Sequence, residues 1–254
     1  MRPRLIPVIT LEEGYVVKTK KFKTPVYIGD PINTVRIFND KEVDEIAIVD
    51  IRASLQGTDI DFDHLEEIAS ESFMPLSYGG GVTSVDEVRR ILRLGFEKVI
   101  LNTAALENPS LVQDSAKETG RQSIVVAIDV RRSLLGHYVV TSHSGTRKWS
   151  ESPVELARRM EELGAGELLV NSIDRDGMMQ GYDAELLSKI SSAVSVPVIA
   201  VGGAGSWQDM RNVIESGGAA AAAGGSVFVF HGRHSAVLIQ YPHPHEIEEM
   251  FDDE

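Results

Sequence analysis

Asp129 closes the apolar run Ser123-Ile-Val-Val-Ala-Ile128 and is the best-placed proton carrier in the chain. A carboxylate at the end of a buried strand is costly unless it is paired or used. It can act as a general acid or base, or it can be a capping or salt-bridged structural aspartate. A near-copy of this segment stands in the first half, where Leu5-Ile-Pro-Val-Ile9 ends on Thr10. Each copy is followed by Tyr-Val-Val, at Tyr15 and at Tyr138. Thr10 thus occupies the position at which the repeat calls for a second acid, and a hydroxyl does not exchange protons near neutral pH.

Glycine clusters mark the candidate ligand contacts. They are Gly79-Gly80-Gly81, Gly202-Gly203 and Gly224-Gly225-Ser226, with Asn102-Thr103 beside the first and Asp176-Gly177 beside the second. Glycine lets backbone approach a ligand, and amides at a helix start can cradle phosphate. The same residues can simply form tight turns. Their occurrence in both halves favours two phosphate pockets and a ligand with a phosphate at each end. Lys18, Ser144 and Asn171 complete the candidate contacts. His137, His143, His231 and His234 lack the spacing of metal ligands, so neither a metal nor an organic cofactor is expected.

The elements that must hold these residues alternate along the whole chain. β-rich runs at 5–9, 45–51, 74–78, 98–101, 124–129, 167–173, 198–201 and 219–223 predict eight strands. The last is rich in Ala and Gly and carries little β propensity. Ser84-Val-Asp-Glu87 reads as a capping box opening a helix at 85–94 before Gly95, and 153–163 repeats that logic before Gly164. Further correspondences, Asp44-Glu45-Ile-Ala-Ile-Val with Gly166-Glu167-Leu-Leu-Val and Tyr78-Gly-Gly-Gly81 with Val201-Gly-Gly-Ala204, make the chain a two-fold repeat. Four βα units per half favour closure, because an open half leaves an unpaired edge. A single (β/α)8 TIM barrel over residues 1–254 is expected, with half-barrels at about 1–120 and 121–245 and a frayed acidic tail at 246–254.

Composition sets limits. The 254 residues are 43% hydrophobic, enough for a core, and contain no cysteine, so disulfides and thiolate metal sites are excluded. A formal charge of −13 argues against nucleic-acid binding. No apolar run is long enough for a membrane span and no signal peptide is evident, so a cytoplasmic protein is expected.

The motifs resemble the cyclase subunit of imidazole glycerol phosphate synthase along nearly the whole length. Ser172-Ile-Asp-Arg-Asp-Gly177, Gly181-Tyr-Asp183, Asn102-Thr-Ala-Ala105, Glu107-Asn-Pro109, Val126-Ala-Ile-Asp129 and Gly202-Gly-Ala-Gly205 carry the resemblance. It implies a glutaminase docked on the N-terminal face of the barrel, with ammonia passing through the lumen to a bis-phosphorylated nucleotide. It also implies a charged gate at the entrance, whose Arg, Glu, Lys and Glu match Arg4, Glu45, Lys98 and Glu167. A salt-bridge plug that only stabilises the barrel is the other reading of this ring. Glu97 stands where the family has an interface aspartate.

Thr10 departs from the family, which pairs Asp129 with an acid on the first strand. Loss of one such group costs about 10²–10⁴ in rate. Glu12 and Glu13 are poor substitutes, since Glu13 has the wrong alternation and Glu12 is expected beyond the strand end. A branch associated with bacterial surface-polysaccharide genes, which includes a separate sugar amidotransferase, also lacks this acid. It is similar at Gly29-Asp-Pro-Ile-Asn33, Tyr78-Gly-Gly-Gly81 and Ala236-Val-Leu-Ile-Gln-Tyr-Pro242. Three functions follow: an ammonia-conducting subunit for amination of a nucleotide-linked sugar, an authentic cyclase of histidine synthesis, or a non-catalytic activator of the glutaminase.

Overall fold

In the computed structural model, which describes residues 3–232 and 234–252, eight parallel strands close on themselves. The barrel strands are β1 (Arg4–Glu12), β2 (Ile46–Asp50), β3 (Leu76–Gly79), β4 (Lys98–Leu101), β5 (Ile124–Arg132), β6 (Glu167–Ser172), β7 (Val198–Val201) and β8 (Ala221–Gly224). Each pairs with its successor, for example Val8 with Ala47 and Asp129 with Asn171. Arg4 against Ala221 then joins β8 back to β1. The predicted (β/α)8 barrel is therefore the observed architecture.

One principal helix packs outside each crossover. These are α1 (Pro31–Asn39), α2 (Phe62–Ser70), α3 (Val85–Arg93), α4 (Ser110–Thr119), α5 (Pro153–Glu162), α6 (Ala184–Ser191), α7 (Trp207–Glu215) and α8 (Pro244–Phe251). Ser84 and Ser152 cap α3 and α5 in reciprocal boxes with Glu87 and Glu155, satisfying amides the helix cannot. Among the described residues, no helix is long and apolar enough to cross a membrane.

Alternation divides the core into two layers. Leu5, Ile9, Ile48, Val126 and Ile128 face the helices, while Ile6, Ala47, Ile100, Ala127 and Leu169 fill the lumen. This explains the composition of β8. Ala221 and Ala223 point into the lumen and Ala222 toward the helices, where larger neighbours leave no room for branched side chains.

Several boundaries differ from expectation by a few residues, β5 for instance running on to Arg132. β1 continues through Glu12, because residues 10–12 pair antiparallel with Val17, Val16 and Tyr15 of the returning strand Tyr15–Lys20. Glu45 lies just before β2, and β8 begins at Ala221. The acidic end is not frayed over its described part. Pro244 opens α8, the Glu246 carboxylate accepts from the His243 amide at 2.6 Å, and Ile247 is buried, so one apolar contact and a cap hold it. Residues 253 and 254 of that segment lie outside the described residues.

β1 and β5 are each followed by an antiparallel hairpin. Tyr15–Lys20 and Lys23–Gly29 form the first, and Tyr138–Ser142 pairs back on β5. Both rise at the C-terminal mouth of the barrel.

Candidate functional site

The floor of the lumen is a closed ring of charge. Arg4 donates to Glu45 at 2.6 Å and to Glu167 at 2.6 Å, while Lys98 donates to Glu45 at 3.0 Å and to Glu167 at 2.9 Å. Period-two alternation puts Arg4 on the lumen face of β1 with Ile6 and Val8. Two cations and two anions neutralise one another, which is how charges at a barrel floor become tolerable. Burial alone lowers the Arg4 pKa, but Glu167 and then Glu45 outweigh it, and the net shift is upward. Above the ring the lumen wall is mostly apolar, from Ile6 and Ala221 up to Ala127 and Leu169, with buried Ser77 on β3 paired with Ala47.

The mouth opens into a cavity of about 460 Å³. Thr10, Lys18, Gly80, Gly81, Asn102, Thr103, Asp129, Ser144, Asn171, Asp176, Gly177, Gly202, Gly203, Gly225 and Ser226 all line it. Residues spread over more than 200 positions of sequence thus share one space because strand ends and the loops after them converge there. Glu97 lies elsewhere, exposed on the N-terminal face next to Lys98.

Asp129 continues the lumen-facing series Val125, Ala127 and is buried. Burial raises its pKa to about 7; a hydrogen bond from Asn171 opposes the rise, Asp176 adds to it, and Arg131 opposes it. A carboxyl near 7 can both give and take a proton under physiological conditions. The Asn171 Oδ1 has no hydrogen-bond partner among the described residues. Thr10 offers no counterpart, since its hydroxyl donates to the Val17 carbonyl in the hairpin pairing.

Lys18 is buried on the cavity wall, with its ammonium donating to the Val8 carbonyl. Burial brings its pKa down to about 8, against the pull of Asp176. Asp176 is raised, chiefly by burial, with Lys18 and a hydrogen bond from Thr19 opposing. The Lys18 ammonium lies against Gly225, where an added Cβ would come within 2.9 Å of it. Lys18 is thus a buried cation hydrogen-bonded to a neutral carbonyl beside Gly225, on the wall that Ser226 also lines.

Two glycines set the backbone on opposite sides of the mouth. Gly80 has φ 137°, and a Cβ there would meet Asp50 at 2.7 Å. Gly203 has φ 117°, and a Cβ would meet the Gly181 carbonyl at 2.1 Å. Near the first, Thr103 accepts from the His143 amide at 3.2 Å and Ser144 donates to the Ile51 carbonyl at 2.6 Å. The two cradles belong to the loops after β3 and β4 and after β7 and β8, half a barrel apart.

Sequence reasoning missed several wall residues. Glu12 lines the cavity and forms an ion pair with Arg52, and Asp50 accepts from the Arg52 and Ala53 amides at 2.9 and 3.0 Å. Glu12 shares the alternation of Thr10, so the signal was present once the strand is extended by two residues. Phe22–Pro25 of the first hairpin also border the cavity, and no spacing rule announces this. Among the described residues, no group of three or more His, Asp or Glu is arranged to hold a metal ion.

A family model described as histidine biosynthesis protein matches residues 4–235. The chain is 47% identical over 252 residues to a protein of Leptospira interrogans provisionally named imidazole glycerol phosphate synthase subunit HisF, covering 99% of each. It is 48% identical over 248 residues to a Pseudomonas aeruginosa protein provisionally named subunit hisF2, covering 98% of this chain and 99% of the relative. Over 228 residues it is 42% identical to the imidazole glycerol phosphate synthase subunit HisF of Alkaliphilus metalliredigens, covering 90% of each.

Proposed function

The chain belongs to the histidine biosynthesis protein family and is of the cyclase-subunit type of imidazole glycerol phosphate synthase; on that premise we propose that it conducts ammonia for the amination of a nucleotide-linked sugar used in surface polysaccharide. In this reading a glutaminase docks on the N-terminal face and releases ammonia at the Arg4–Glu45–Lys98–Glu167 gate. The neutral molecule crosses the apolar lumen and leaves beside Asp129. A phosphorylated ligand spans the two glycine cradles, with Lys18 at the Gly225–Ser226 end. A separate amidotransferase completes the amination. The whole chain works as one barrel of two half-barrels, in the cytoplasm.

One observation carries the reading: the strand that contributes Arg4 to an intact ring runs up to a mouth where Thr10 stands at the position that the resemblance gives to a second acid. Delivery needs the ring and the lumen. Cyclisation needs two proton carriers, and loss of one costs about 10²–10⁴ in rate. The test supplies the purified chain with ammonium salt and the histidine-pathway nucleotide and follows substrate loss. Turnover is expected to be absent or far below that of an authentic cyclase, with Thr10→Asp gaining activity. Full turnover by the natural chain would end the proposal.

A second reading, an authentic cyclase, is favoured by Glu12, which faces the cavity two residues above Thr10. Its carboxylate is engaged by Arg52, which supports the first reading over the second. If Glu12 did stand in for the missing acid, Glu12→Gln would abolish turnover in the same assay.

A further inference from the structure

The N-terminal face carries a feature that neither the gate nor the lumen explains. Phe73 is 93% exposed, in the loop that joins α2 to β3. A single exposed hydrophobic side chain is ordinary on a protein surface. Three observations set this one apart.

The first is its distribution. Every other large hydrophobic side chain that is well exposed among the described residues lies in a segment following a barrel strand, from Tyr15 and Tyr27 to Leu134 and Leu238. Phe73 is alone on the opposite face, where the ring opens. The second is rigidity. Asn39, at the end of α1, uses its amide nitrogen to hold the Glu71 carbonyl and its amide oxygen to hold the Phe73 N–H at 3.1 Å. Ser72 donates to the Met74 carbonyl at 3.0 Å. The loop is tied to α1 through Asn39 and braced by a bond within itself, yet the aromatic ring it presents contributes almost nothing to the core. Aromatic anchors on preorganised backbone bind partners at low entropic cost.

The third is continuity with the entrance. The loop runs into β3 at Leu76, whose carbonyl accepts from the Glu97 amide at 2.8 Å, and Glu97 precedes the ring residue Lys98. Glu97 is exposed and forms no ion pair among the described residues. An apolar knob and an uncompensated carboxylate therefore flank the port through which a nitrogen supplier must deliver. The relatives are named as subunits, so a companion chain is expected somewhere on this type of barrel.

We propose that Phe73 is the apolar anchor by which the glutaminase subunit grips the barrel, inserting into a hydrophobic pocket on that subunit beside a basic group facing Glu97. This rests on the reading that a glutaminase docks at the gate. The ring excludes water from the centre of the contact, and Glu97 sets orientation.

The test is calorimetric titration of the barrel with the glutaminase subunit of the same source. Phe73→Ala is expected to weaken binding at least tenfold, on the order of thirtyfold for a central aromatic anchor. Leu134→Ala, on the far face, is expected to stay within twofold. A Phe73→Ala protein that binds like the natural chain would overturn the anchor while leaving docking intact. No binding by the natural chain would overturn docking and the anchor together. A second measurement needs no variant: oxidative footprinting of the Phe73 ring should fall at least fivefold in the complex, and an unchanged footprint would refute its burial there.

Discussion

Arg4 and Thr10 stand on the same face of β1, so one strand closes the floor of the lumen and carries the altered position at its mouth. Six residues of strand separate them, a rise of about 20 Å. Between them this strand presents only Ile6 and Val8 to the lumen. The charged ring and Thr10 thus mark the two ends of one apolar strand face.

The ring should behave as one unit. Removing Lys98 leaves Glu45 and Glu167 sharing Arg4 alone, in a site where Glu45 is almost wholly buried. Lys98→Met is expected to cost about 3 kcal/mol in urea denaturation, the range for a broken buried pair. Lys98→Met combined with Glu45→Gln should cost clearly less than the two changes added, because charge balance is partly restored. Simple additivity would mean that the four groups are independent. In the complex, Lys98→Ala should also change the coupling between glutamine hydrolysis and product.

Asp129 makes stability depend on pH in a defined direction. Its carboxyl titrates near 7 in the folded chain and near 4 in the unfolded chain. Between those values the native state holds the extra proton, so the contribution of this group to stability is greatest below about 4 and falls as pH rises toward 7. Asp129→Asn removes the penalty. It is expected to stabilise the barrel by on the order of 2–4 kcal/mol at pH 8 and hardly at all at pH 4. Melting curves of the two proteins at both pH values decide the matter, and an equal shift at both would contradict it.

Much of this is legible in the amino-acid sequence. Alternation along the runs ending at Thr10 and Asp129 placed them at a common mouth, and glycine clusters in both halves marked opposite sides of it. The Arg4, Glu45, Lys98 and Glu167 set was visible only through resemblance, because four residues dispersed over the chain meet through strand order alone. Glu12 was misplaced because the apolar run stops at Leu11, whereas backbone pairing with the hairpin extends the strand further. The tail misled for a related reason: its acidic surface hides one buried contact, Ile247. Phe73 could not be singled out, since exposure is a property of the fold and not of the residue.

Asn171 should tune its neighbour. It is paired with Asp129 across β5 and β6, and its hydrogen bond to the carboxylate holds the pKa below what burial alone would impose. Asn171→Leu is expected to raise the Asp129 pKa by about one unit, the worth of a hydrogen bond to a charged group. Carbon-13 NMR of the labelled carboxyl follows the titration directly. A midpoint unchanged or lowered in the variant would show that Asn171 does not act on Asp129.

Lys18 ties stability to anion binding. Its folded pKa near 8 lies below the unfolded value near 10.5, so burying the ammonium costs stability at neutral pH, and the penalty lifts as pH rises from about 8 toward 10.5. Lys18→Met should therefore raise the melting temperature at pH 7 in anion-free buffer. Phosphate should stabilise the natural chain at pH 7, because an anion beside Gly225 and Ser226 adds to the partial compensation that Asp176 gives the buried ammonium, and binding to the folded state alone adds stability by mass action. In Lys18→Met that gain should largely disappear, since the remaining backbone amides hold phosphate without a buried cation. Thermal melts over a phosphate series at fixed ionic strength test both signs. A phosphate response equal in the two proteins would separate Lys18 from the cradle and leave its burial without a ligand to explain it.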